Sequence, residues 1–180
     1  MTRVTIGPAD GSLTVRTDVA GPAARMGHRL LLTFDDWAGL VTVAEELPTS
    51  LRVDVELASL RVLSGTGGAT PLSPVDKQVI KYNATKSLGV AEHPRGTFTS
   101  DRIEAADGEL HIPGHLMMAG ENRPLTLAFT AVRQGSAYTV AGGAALRQSD
   151  FGVDPYSLLR GALRVADEVE VRVDLSLQVP

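Results

Sequence analysis

Four histidines, at positions 28, 93, 111 and 115, and two adjacent carboxylate pairs, Asp35-Asp36 and Glu45-Glu46, are the side chains whose types and spacing could do acid–base or metal chemistry. His111 and His115 have the i, i+4 spacing of a helical metal site. The sequence around them is strand-like, however, and four strand residues span roughly 13 Å, too far to share one ion. They read as rim or surface histidines. Neighbouring strand residues point to opposite faces, so neither carboxylate pair makes a local acid/base dyad, and both read as solvated. His93 precedes Pro94 and belongs to a loop. His28 follows Gly27 at a strand start. It serves either as a structural histidine bonded to backbone or as a contact for the polar head of a ligand, and it is the residue that an enzyme would use here as acid or base. No nucleophile-elbow, Walker or dinucleotide pattern stands in a suitable setting. Gly65-Thr66-Gly67-Gly68 precedes a proline-containing loop, not a helix that could cradle phosphate. No catalytic residue, metal or cofactor is therefore expected.

Composition narrows the classes further. A chain of 180 residues with 43% hydrophobic content buries a core as one domain, expected over 1–180. The net charge of −4, with no basic block, leaves neither a nucleic-acid footprint nor a polybasic membrane patch. The first 20 residues carry Arg3, Asp10, Arg16 and Asp18 and no apolar run, so they read as neither signal peptide nor membrane span. A cytoplasmic protein without integral membrane insertion is expected. The absence of cysteine excludes disulfide and thiolate chemistry, and the sequence leaves a homodimer open.

These side chains must be positioned by strands, because only one stretch has helical character. Ser73 is a good N-cap, Pro74 suits the first turn, and Asp76 stands three residues after the cap, so a helix over about 74–88 is expected, ended by Gly89 and Pro94. Its apolar arc is read as Val75, Val79, Ile80, Tyr82 and Asn83, with Lys77 and Lys81 opposite. Lys77, Lys81 and Lys86 give it a cationic character suited to a pyrophosphate or carboxylate head.

Elsewhere the apolar period is two. Strands are predicted at 12–19, across 29–43 with a bend near Asp35-Asp36, and from Leu51 to Leu57, where the apolar phase slips and suggests a bulge near Ala58. Further strands follow over 96–103, Leu110 to Met118, Leu125 to Ala131, Tyr138 to Leu146 and Val169 to Leu177. Asp107-Gly108, Gly120 to Arg123 and Gly135-Ser136 form the turns. Pro113 implies an edge, bulge or bend, Gly142-Gly143 a flexible or closely packed point, and Arg147 with Asp150 a turn fixed by hydrogen bonding.

About eight antiparallel strands with one-sided patterning indicate an all-β fold, a barrel or a sandwich. The regular last strand favours closing a barrel by pairing with the first. Such a barrel either packs its interior or holds one elongated ligand. With aromatics at only 4%, the inward face suits an aliphatic chain, and a packed aliphatic core, as in a structural or stress protein without ligand, stays open.

Several segments carry a resemblance. Ser73 to Ser100, where an Asp-bearing helix is followed by His93-Pro94-Arg95-Gly96-Thr97-Phe98-Thr99-Ser100, is similar to the corresponding part of the YceI-like family of lipocalin-like, polyisoprenoid-binding proteins. Met26 to Leu30, Gly108 to Leu125, Gln148 to Val153 with Pro155-Tyr156-Ser157, and Val165 to Val169 resemble further elements of that family in the same order. The resemblance implies a lipocalin-like antiparallel β-barrel with a helix near its mouth and an apolar tunnel for a long lipid. It also implies non-catalytic binding or carriage of an isoprenoid quinone, polyisoprenoid or fatty-acyl lipid. The ligand-binding set expected on this basis is His28, Leu30, Leu32, Val55, Val79, Tyr82, Leu127, Phe129, Val140, Val171 and Val173. The alternative is an enzyme acting on a small hydrophobic substrate in the barrel.

Overall fold

The computed structural model describes residues 1–45 and 47–178. Alternation of apolar and polar residues builds thirteen strands among these described residues: β1 (Thr2–Ile6), β2 (Gly11–Ala20), β3 (His28–Phe34), β4 (Trp37–Ala44), β5 (Leu47–Glu56), β6 (Leu60–Gly67), β7 (Arg95–Ser100), β8 (Glu104–Ala106), β9 (Glu109–Met118), β10 (Glu121–Gln134), β11 (Ala137–Arg147), β12 (Ser157–Leu158) and β13 (Leu163–Gln178). One helix, α1 (Pro74–Ser87), lies between β6 and β7. It starts where its caps require. The Ser73 hydroxyl accepts from the Asp76 N–H at 3.1 Å, and the Asp76 carboxylate accepts from the Ser73 N–H at 2.8 Å.

All strand pairs are antiparallel, and hydrogen-bonded neighbours run in the order β1-β4-β5-β7-β9-β10-β11-β13-β2-β3-β6. The two ends of this order meet through the chain itself. β3 runs into β4 through Asp35-Asp36, and β5 runs into β6 through Leu57–Ser59. The two corners are bonded to each other: the Asp35 N–H donates to the Ser59 carbonyl at 3.3 Å, and the Glu56 N–H donates to the Asp36 carbonyl at 3.0 Å. With β3–β4 and β5–β6 taken as two long bent strands, the wall closes as an eight-stranded barrel, and β1, β8 and β12 are additions to it. The expected pairing of the last strand with the strand at 12–19 is present, with Val171 opposite Val15 and Val173 opposite Leu13.

The bend near Asp35-Asp36 lies where the sequence put it. The slip near Ala58 is instead a 3-10 turn, Leu57–Ser59. A three-residue period explains it, because Leu57 and Leu60, 3% and 1% exposed, are buried on the same side of the corner. Pro113 stands where β9 changes partners: Glu109 to His111 pair with β8 and His115 to Met117 with β7. No ladder N–H is needed on that side at Pro113, whose carbonyl accepts the Ser100 hydroxyl at 2.6 Å. Gly142 and Gly143 are close approaches, since a Cβ on either would collide with the carbonyl of Ala128 or of Val171. The turn after β11 is not fixed by the Arg147 and Asp150 side chains as expected. Asp167 accepts from the Ser149 N–H at 2.8 Å, and Arg123 Nε donates to the Asp150 backbone carbonyl at 2.8 Å.

Candidate functional site

The inward rows of the strands enclose a cavity of about 1010 Å³, at the upper end of the roughly 300–1,000 Å³ usual for ligand pockets. Its middle is aliphatic and aromatic, including Leu32, Val53, Val55, Phe98, Ile112 and Phe129. From Val165 to Leu177, β13 follows the cavity for roughly 40 Å of strand, or about 28 Å along the axis of a barrel whose strands tilt by about 45°. Among the described residues polar side chains stand only near the ends. Thr17, Asn83, Ser87, Gln148 and Tyr156 line the end that α1 covers, and Arg133, Tyr138 and Gln178 line the opposite end.

Of the residues expected to bind ligand, Leu30, Leu32, Val55, Leu127, Phe129, Val140, Val171 and Val173 line this cavity together. His28, Val79 and Tyr82 are not in the lining. The His28 ring nitrogen Nε2 lies 2.7 Å from the Thr70 carbonyl, so this side chain ties β3 to the loop before α1. Val79 and Tyr82 are 53% and 65% exposed, and Val75 is 70% exposed. The helix is rotated from the expected arc: Ile80 and Asn83 of that arc do look into the cavity, joined by Ala84, Ser87 and Leu88 in place of Val75, Val79 and Tyr82. Of the lysines proposed to attract a charged head, Lys77 donates to the Leu63 carbonyl at 2.9 Å.

The remaining candidate groups are dispersed over the outside. His111 Nε2 lies 3.4 Å from the Glu109 carboxylate, and His115 is exposed. Among the described residues no cluster of three or more histidines and carboxylates could hold a metal ion. Asp35 pairs with Arg61 at 2.7 Å, and that guanidinium holds its carboxyl below the usual carboxylate range. Glu45 is exposed at the β4–β5 turn, and Glu46 lies outside the described residues. The Asp54 carboxyl is likewise lowered, by Arg52 first and with help from the Thr97 hydroxyl. These are fastenings of the wall.

Residues that the sequence reading did not single out are Trp37, Gln148, Tyr156 and the end cluster Arg133, Tyr138 and Gln178. Arg133 had a signal available, because the inward row Leu125, Leu127, Phe129, Ala131 reaches it in one more step of two.

An eight-stranded antiparallel barrel with a helix over one mouth and an apolar cavity along its axis defines a lipocalin-like fold. The chain belongs to the YceI-like family, whose YceI-like domain model matches residues 6–177. It is 31% identical over 103 residues, 57% of this chain, to Protein YceI of Salmonella arizonae and equally to Protein YceI of Salmonella newport. The match covers 49% of each, so the chain spans about half the length of the curated relatives it matches. BcnA of Burkholderia cenocepacia has the same fold, with a TM-score of 0.72 over 96% of this chain and 99% of that one at 17% identity. The YCEI protein of Campylobacter jejuni gives 0.63 over 83% and 84% at 14% identity. Among the described residues no helix is long and apolar enough to cross a membrane.

Proposed function

We propose that the protein binds or carries, without catalysis, one amphipathic lipid with a long isoprenoid or acyl chain in its barrel cavity. The observation that carries this reading is the uninterrupted apolar cavity of about 1010 Å³ with its polar side chains confined to the ends. Removing a long hydrocarbon chain from water is worth about 0.8 kcal/mol per buried CH₂, so a lining of this kind holds such a chain without any specific polar contact. The resemblance to polyisoprenoid-binding proteins supports the same ligand class. The enzyme alternative loses its proposed acid/base group, since His28 is engaged with Thr70 away from the cavity.

Native mass spectrometry of the protein as purified from cells tests the reading. A co-purifying mass of several hundred daltons is expected and is to be displaced by an added isoprenoid or acyl lipid. The one tryptophan, Trp37, is 4% exposed and lines the cavity, so its fluorescence reports occupancy directly. No retained mass, together with no Trp37 response to any long-chain lipid, overturns the proposal.

A further inference from the structure

Arg133 is the one charged residue in the lining of the cavity among the described residues. Its place follows from register. On β10 the inward row Leu125, Leu127, Phe129, Ala131 continues to Arg133, and on β11 the inward row begins at Tyr138. The two stand directly opposite each other, and Tyr138 is in turn opposite Leu177 on β13. The Arg133 guanidinium carbon lies 5.7 Å from the centroid of the Tyr138 ring, within cation–π range. Its Nε donates to the Gly135 carbonyl at 3.0 Å. That uses one of five guanidinium donors, and no carboxylate of the described residues pairs with it within 4.0 Å.

The helix-covered end is different in kind. Its lining side chains, Thr17, Asn83, Ser87, Gln148 and Tyr156, are all neutral. Arg123, at the start of β10, is directed to the Glu121 carboxylate at 2.8 Å and to the Asp150 carbonyl, and it is not part of the lining. One end therefore presents a positioned cation and a phenol, and the other only neutral hydrogen-bonding groups.

Resting on the carrier reading above, we infer that the ligand has an anionic head, a carboxylate or phosphate, and is bound with that head between Arg133 and Tyr138 and its tail directed toward α1. A guanidinium gives forked hydrogen bonds to either head, and the Tyr138 hydroxyl and the Gln178 amide add neutral donors beside it. A cation on the inward face at this position also disfavours an uncharged chain end there, so it sets direction as well as affinity.

Three probes with one tail separate the possibilities: palmitate, hexadecyl phosphate and 1-hexadecanol, titrated by Trp37 fluorescence into the parent protein, Arg133→Gln and Arg133→Lys. The parent is expected to prefer the charged probes, with an affinity that falls as salt rises. Arg133→Gln is expected to lose roughly tenfold for its preferred charged probe, to leave 1-hexadecanol unchanged, and to melt as the parent does. Arg133→Lys is expected to retain part of the preference. The stronger of palmitate and hexadecyl phosphate identifies the head. An equal change for all three probes, or none for any, overturns the inference and leaves the carrier reading standing. If no probe binds the parent, this inference falls, and the carrier reading falls with it only when native mass spectrometry also shows no retained lipid and no long-chain lipid moves the Trp37 signal.

Discussion

The Lys77 ammonium donates to the Leu63 carbonyl at 2.9 Å, fastening the first turns of α1 to β6. Lys77 lies on the same side of the helix as Ile80, Ala84 and Leu88, which pack toward the barrel interior. One lysine on the inner edge thereby fixes the rotation of the helix, with Val75, Val79 and Tyr82 in solvent.

This rotation makes an opposite pair of substitutions decisive. Ile80→Asp places a carboxylate against apolar side chains and is expected to cost about 2–4 kcal/mol, whereas Val79→Asp is expected to stay within about 0.5 kcal/mol of the parent. Urea denaturation of the two variants checks this. A larger loss for Val79→Asp would mean that the helix lies the other way round.

Close approach at Gly142 is a second point of leverage. A Cβ there meets the backbone of Ala128 and Phe129, which belong to the neighbouring strand and cannot turn aside. Gly142→Ala is expected to destabilise by about 3 kcal/mol. Gly135 sits in the β10–β11 turn at a φ of 65° with nothing within 4 Å, so Gly135→Ala carries only the left-handed backbone cost of about 1 kcal/mol. Thermal melts should rank them in that order, and equal losses would show that the strands separate to admit the methyl group.

Stability should fall in acid for a stated reason. The Asp167 carboxyl is held below its ordinary range by the Ser149 hydroxyl and N–H, Asp35 by Arg61, Asp54 by Arg52 and Asp76 by the Ser73 backbone N–H and hydroxyl. A carboxyl with a lower pKa in the folded state than in the unfolded chain stabilises the fold above the unfolded value, and that contribution is lost as pH falls through the folded value. The melting temperature is therefore expected to be level from about pH 8 to 5 and to drop below about pH 4. Asp167→Asn should lower it at neutral pH and flatten the acid limb. An unchanged acid limb in that variant would remove Asp167 from the account.

Strand periodicity made most of the wall legible, because a residue's side of a half-buried sheet depends only on parity. Parity alone puts Leu127, Phe129, Val140, Val171 and Val173 on the inward face, which lines the cavity, whereas a hollow interior was implied by the family resemblance and not by the pattern. The Ser73–Asp76 box and Pro74 fixed where the helix starts, but a helix's facing depends on what anchors it, and the Lys77 bond to a distant carbonyl leaves no local trace. The same limit applies to His28, whose partner Thr70 is 42 residues away. Asp167 was hidden for the same reason, with its Ser149 contacts reaching across 18 residues. The corner at Leu57–Ser59 was visible only as a phase slip, which a bulge and a 3-10 turn both produce.

The cavity itself makes the last prediction. Val140 and Val173 are half-buried and face the cavity from neighbouring strands, Val140 being opposite Leu175 and Val173 opposite Gly142. In a close-packed interior a valine-to-phenylalanine change costs about 1–3 kcal/mol through off-rotamer side chains and backbone shifts. Here the added ring enters empty volume, so Val140→Phe and Val173→Phe are expected to leave the ligand-free melting temperature nearly constant. The same rings occupy the path of the lipid tail and are expected to weaken binding of a long isoprenoid or acyl chain by at least about tenfold, roughly 1.4 kcal/mol. Short-chain homologues, which need less of the cavity, should lose less. Calorimetric melting of delipidated protein and Trp37 titration measure the two quantities independently. A fall in stability without a change in affinity would show that these positions belong to a packed core and that the tail runs elsewhere.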